Sequence, residues 1–164
     1  MTTATKAETK VKKDAPAKKA KARRHAANPI DTTGTWYLLN AENQVLGRLA
    51  VKVATLLSGK NRPEFLRHKD MGAHVVVINV AKIRVTGNKL KDKMYKRFTQ
   101  YPSGLIETPL ERMLVEKPGY PLQHAVQGML PKNSLGNHMM KKLLIYTDAV
   151  HPHAAQKPVE IKLN

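Results

Sequence analysis

The chain has 164 residues, with 29 Lys and Arg against 12 Asp and Glu, a formal charge of +17 and no cysteine. That length suits one domain with its own core, and the missing thiols exclude a disulfide scaffold, thiolate zinc sites and cysteine nucleophiles. Such a positive charge repels itself unless a polyanion offsets it, so nucleic acid is the first partner class to consider. The longest apolar runs, Val75–Ile78 and Leu143–Tyr146, are far shorter than the roughly 20 residues that cross a bilayer. No apolar stretch follows the N-terminal lysines, so the chain reads as soluble and unexported, without a membrane partner.

Residues 1–30 hold nine cations, including Lys12, Lys13, Lys18, Lys19, Lys21, Arg23 and Arg24, against Glu8 and Asp14, a net of +7. Apolar side chains beyond Val11 are scarce, and a segment that buries so little cannot offset its ordering entropy. It is expected to be disordered in isolation, and at about 3.3 Å per residue it could reach on the order of 100 Å along a phosphate groove. The alternatives are a solubilising extension or a transit peptide, although transit peptides favour Arg and Ser over this Lys and Ala pattern.

Residues 31–164 read as one domain with an extended C-terminal segment. Thr35–Leu39 suits a short strand and Asn40–Asn43 a turn. Leu46, Leu49, Ala50, Val53 and Leu57 then form one helical stripe opposite Gln44, Arg48, Lys52 and Thr55, with Gly59 where a C-terminal cap belongs. His74–Val80 lacks polar alternation, as in a strand covered on both faces, which makes a βαβ unit with a right-handed crossover. Ile83–Thr86 offers another short strand before Gly87-Asn88, and Lys93–Tyr101 has no clear period.

Thr108-Pro109-Leu110-Glu111 has the spacing of an N-cap, a first-turn proline and a capping glutamate, predicting a helix from Thr108 to near Pro118. Leu122, Ala125, Val126 and Met129 continue as a second stripe after Pro121, and Ser134 is placed to cap a third helix ending at Lys141 and Lys142. Leu143–Tyr146 then reads as a buried closing strand. Alternating strands and helices point to an α/β domain with a mainly parallel sheet.

Five blocks stand out: Trp36–Ala41; Leu46-Gly47-Arg48-Leu49-Ala50 followed by Gly59-Lys60; Val75–Asn79 with Thr86–Lys89; Gly128–Lys132; and His151–Pro158. In order and spacing they resemble the family of the bacterial ribosomal protein L thirteen, over about Thr35 to Pro158. The resemblance implies a three-layer α/β/α domain with a four-stranded sheet. It also implies a structural, non-enzymatic role in the large ribosomal subunit, with large-subunit ribosomal RNA and neighbouring ribosomal proteins as partners and an early place in assembly in the cytoplasm.

Departures from the family pattern are Phe98–Gly104, which lacks one imidazole and two glycines, Arg67 for a proline, Ala73 for an acid and Asn137 for a cation. The resemblance therefore carries no RNA contact to Phe98 or Asn137.

Arg48, Lys52, Lys60 and Arg62 form a candidate phosphate-binding row, since guanidinium forks onto phosphate oxygens and lysine acts as a point charge. A solvated helix face has the same appearance; the resemblance favours RNA for Arg48 and Lys60. Lys89, Lys91, Lys93, Lys96 and Arg97 crowd a segment with Tyr95, Phe98 and Tyr101, rings on which unpaired bases stack; for Tyr95 and Phe98 the core is the expected place. His68, Lys132, Lys141 and Lys142 complete the cations, and Met129, Met139 and Met140 are expected to fill core gaps.

His151, His153, Gln156 and Lys157 lie between prolines as a stiff, donor-rich strap for phosphate or 2′-hydroxyl groups. Two imidazoles without a Cys or acidic cluster make an incomplete metal ligand set, so neither metal nor cofactor is expected. Ser58-Gly59-Lys60 lacks P-loop spacing, and Ser103 and Ser134 have no evident base, leaving no catalytic residue or small-molecule substrate to assign. The alternatives to a ribosomal role are a free regulator of messenger RNA and a metal-dependent enzyme built on the histidine pair.

Overall fold

A computed structural model of the chain describes residues 35–162; the basic extension of residues 1–30 and the role expected of it lie outside them. Strand β1 (Trp36–Asn40), helix α1 (Leu46–Ser58) and strand β2 (His74–Ile78) form the expected βαβ unit. All five stripe residues of α1 are buried, and so are Ala54 and Leu56, because the sheet and another helix both pack on α1. Gly59 caps the helix at φ 75°, and a side chain there would meet the Met71 carbonyl oxygen at 2.7 Å.

Two later strands complete the sheet. β5 (Leu143–Ile145) lies beside β2 and β6 (Val159–Glu160) beside β1, in the order β5-β2-β1-β6 with every pair parallel. Val75, Val76 and Val77 are fully buried, as the uninterrupted apolar run implied. The last strand was expected to be buried, but β5 is half-buried because it has a neighbour on one side only. β6, two residues long, has no sequence period to announce it.

Ile83–Thr86 does not form a strand. Asn79 takes the left-handed conformation at φ 58°, where its side chain donates to Asn40 Oδ1 at 3.0 Å, and a 3₁₀ turn over Val80–Lys82 follows. The chain then touches Val45 through a single bridge at Arg84.

The unclear segment is a helical turn, α2 (Lys89–Asp92), and an antiparallel hairpin of β3 (Met94–Phe98) and β4 (Leu105–Pro109). The hairpin corrects the expected helix start. Thr108 pairs with Tyr95, and the Leu110 N–H donates to the Lys93 carbonyl at 2.8 Å, so the ladder claims the residues that resembled a capping box. Helix α3 (Leu110–Glu116) begins after them without a side-chain cap.

Helix α4 (Gly119–Met129) starts two residues before Pro121, which is tolerated because first-turn N–H groups have no intrahelical partner. Helix α5 (Ser134–Lys141) is capped by Asn133 rather than Ser134, its Oδ1 accepting from the Gly136 N–H at 2.9 Å. Leu122, Val126, Leu130 and Met139 join α4 and α5 to α1, Leu39, Val75 and Val77 in one core. Met139 fills that core and Met140 packs against it, but Met129, expected inside, is 44% exposed.

By strand alternation Trp36, His74 and Val76 face the opposite side of the sheet. There Trp36 stacks on His74 at 4.5 Å and meets the tilted ring of His153 at 5.2 Å, which places the C-terminal segment over this second face. The fold is the expected α/β domain around a parallel four-stranded sheet.

Burial, then the charge of Lys142, hold the His74 imidazole below its usual value of 6.5, while Asp70 acts in the opposite sense. The unfolded chain thus binds this proton first, so stability is complete above that value and falls as the pH drops toward the folded one. We expect melting temperature to decline on acidification through this window, and His74→Gln to lessen the decline. An unaltered pH profile in the variant would show that His74 does not contribute.

Candidate nucleic-acid interface

On the outer side of α1, Arg48 and Lys52 stand exposed one turn apart and line a cleft of about 330 Å³. Lys162 lines it too, together with Asn43, Gln44 and apolar groups, and no acid does. Lys162 could not be foreseen from sequence because only the pairing of β6 with β1 brings residues 161–162 here, with the Ile161 N–H donating to the Leu38 carbonyl at 3.0 Å. Three cations without a carboxylate make a surface suited to phosphate.

Past the end of α1, exposed Lys60 and Arg67 line a cleft of about 500 Å³ with Phe65, Pro131, Leu135 and Met139. Arg67, set aside as a departure from the family pattern, therefore shares a site with Lys60. The Gly128–Lys132 block forms one wall: Leu130 is buried, whereas Pro131 and Lys132 reach the surface. Lys132 lines an adjoining cleft with Asn137. His68 is exposed nearby in sequence, while the Arg62 guanidinium donates to Thr35 Oγ1 at 2.7 Å and so anchors the start of β1.

The hairpin carries a second cationic group. Lys89 and Lys91 are exposed on α2, Lys93 Nζ lies 5.4 Å from the Tyr95 ring centroid, and Arg97 lines a cleft with Tyr95 and Tyr120. Lys96 faces Glu107 across the ladder at 2.8 Å, an exposed pair that contributes little stability. Tyr95 is buried as expected, edge-on to Tyr120 and His124, and burial, then Tyr120, push its phenol up. Phe98 was also expected in the core, but it is 62% exposed because it points away from Tyr95 near the hairpin tip.

At the C-terminal end the structure separates residues that sequence placed together. Lys141 is exposed, whereas Lys142 is half-buried, 2.9 Å from Asp70 Oδ2 and donating to the Gly72 carbonyl at 3.1 Å. Its position at the root of β5 turns it inward, so Lys142 holds the loop before β2 rather than presenting a free cation.

His153 Nε2 and the Tyr146 hydroxyl share a hydrogen bond of 2.8 Å, and the ring lies against Trp36. This imidazole is a packing element of the strap. The His153 N–H donates to His151 Nδ1 at 3.2 Å, which leaves the His151 proton on Nε2 as a donor to a partner. Gln156 and Lys157 are exposed, Lys157 with φ 47° at the end of a 3₁₀ turn over His153–Gln156. Among the described residues no group of three His, Asp or Glu is placed to hold a metal ion, and no helix is long and apolar enough to cross a membrane.

Comparison with known proteins gives this surface its context. The family model described as ribosomal protein L13 matches residues 34–152. The large ribosomal subunit protein uL13 of Thermus thermophilus is 51% identical over 135 residues, 82% of this chain and 96% of that protein. Its namesake in Nitrosomonas eutropha is 48% identical over 139 residues, covering 85% and 96%, and that of Spiroplasma citri 49% over 128 residues, covering 78% and 88%. The family is a structural component of ribosomes and not a family of enzymes. With its model running from the first strand to the histidine strap, and relatives about half identical along most of their length, the chain belongs to the ribosomal protein L13 family.

Proposed function

We propose that this protein is a structural constituent of the large ribosomal subunit that binds large-subunit ribosomal RNA and helps it fold, joining early in assembly in the cytoplasm. The observation that carries the reading is the acid-free cleft of Arg48, Lys52 and Lys162 on a chain of charge +17. The domain docks by shape, and its cations neutralise phosphates where RNA helices approach one another, which lowers the repulsion opposing compact RNA. Lys60, Arg67 and Lys132 extend this function past the end of α1, the hairpin cations lie on a separate projection, and neighbouring ribosomal proteins cover other parts of the surface.

Tagged protein should co-sediment with large subunits at moderate salt, and its affinity for ribosomal RNA should fall steeply as salt rises. Failure to co-sediment, with RNA affinity intact, would instead point to a free regulator of messenger RNA. Replacing Arg48 and Lys60 together by Ala should flatten the slope of log affinity against log salt by about 2, roughly one per lost phosphate contact. Both side chains are exposed, so the melting temperature should hardly change. An unchanged slope removes these two residues from the interface.

A further inference from the structure

We propose that the tip of the β3–β4 hairpin is a stacking platform for unpaired RNA bases, with Phe98 and Tyr101 as its rings. The proposal rests on the ribosomal-RNA reading above and adds base contact to a surface otherwise described by phosphate contact. Phe98 is 62% exposed and Tyr101 74%, and Leu105, the register partner of Phe98, is 54% exposed. The same strand buries Tyr95, so the hairpin sorts its aromatics: one anchors it on α4 and the others project.

The turn that carries Tyr101 is held in shape. The Thr99 N–H donates to the Gly104 carbonyl at 3.0 Å, the Gly104 N–H to the Tyr101 carbonyl at 2.9 Å, and the Thr99 hydroxyl to the Gly104 carbonyl at 3.2 Å. Gln100 and Ser103 take positive φ of 71° and 61° on either side of Tyr101-Pro102. A ring presented from so constrained a loop needs little further ordering when a base arrives.

Charge selects the occupant. Lys96 shares the face of Phe98 and is paired with Glu107, the sole acid on the two strands, while Lys93 and Arg97, on the Tyr95 face, leave the hairpin with a surplus of cations. Cations interleaved with aromatics hold phosphates while the rings receive bases. A protein partner would meet the same rings through apolar side chains but would need acids for these cations. Bases in a duplex are stacked on each other, so the platform fits a single-stranded loop, bulge or end, and it tolerates any base because all have a π-face.

The test uses the full chain and a leucine pair, Phe98→Leu with Tyr101→Leu, which keeps apolar bulk and removes the aromatic faces. Binding is measured to a short unstructured oligouridine and to an abasic ribose-phosphate chain of the same length. The pair should weaken oligouridine binding by about tenfold or more and change abasic binding by less than about twofold. Melting temperature should hold, since both rings are exposed, and Phe98→Trp should bind oligouridine at least as well as the parent with its added fluorescence quenched. If the leucine pair matches the parent on both ligands, the platform is overturned. It is equally overturned if the pair keeps RNA affinity but loses a neighbouring ribosomal protein in reconstituted subunits, which would make the tip a protein contact. If the unsubstituted chain binds neither oligouridine nor subunits, the ribosomal-RNA reading itself fails.

Discussion

Gly72→Ala should destabilise the domain by about 3 kcal/mol or more and lower its melting temperature by roughly 10 °C. A Cβ built on Gly72 overlaps the carbonyl oxygen of Leu57, a fully buried residue in the last turn of α1. Neither side can retreat easily. The Ala73 N–H donates to the Leu56 carbonyl at 3.2 Å, the Gly72 N–H to Asp70 Oδ1 at 3.3 Å, and the Gly72 carbonyl accepts from Lys142, itself paired with Asp70. Moving Gly72 outward therefore strains the link between α1, β2 and β5 at once.

Gly47→Ala is the matching control. Gly47 is the second residue of α1, and a Cβ there meets nothing within 4 Å, so alanine should gain about 0.5 kcal/mol by restricting the unfolded chain. Thermal melts of the two variants should thus move in opposite directions. A Gly72→Ala melt within a few degrees of the parent would mean that the two backbones separate more freely than their hydrogen bonds imply.

The same region shows what sequence conveys about this fold and what it withholds. The α1 stripe and the β2 run were legible because periodicity and burial are local properties, and Gly59 was legible because a left-handed cap asks for glycine. The hairpin was not, since Thr108-Pro109-Leu110-Glu111 has good helix-start chemistry that long-range pairing with Tyr95 and Lys93 overrides. β6 is too short to carry a pattern, and with it went Lys162.

For the site, sequence could count cations but could not tell which of them fold inward. Lys141 and Lys142 are adjacent and chemically identical, yet one is exposed and the other is paired to Asp70, 72 positions away along the chain. His153 likewise looked like a donor until the sheet brought Trp36 and Tyr146 against it. Arg67 was noted only as a departure from the family pattern and Phe98 was expected in the core, yet both are exposed on the folded surface.

The other large effect is expected from removing residues 1–30. These carry nine of the 29 Lys and Arg and a net of +7, so the truncated chain keeps +10. Among the described residues, the core formed by α1, α4, α5 and the sheet spans residues 39–139, and it is large enough that the melting temperature should not change appreciably. RNA binding should change greatly. With about four of the nine cations on phosphates, the slope of log affinity against log salt flattens by roughly 4, and affinity near physiological salt falls about 100- to 1,000-fold. Because counterion release is insensitive to base identity, the loss should be similar on ribosomal RNA and on an unrelated duplex, in contrast to the base-dependent loss expected at Phe98 and Tyr101. A truncated chain that melts early would show that the extension supports the fold, and an unchanged salt slope would show that its cations do not meet phosphate.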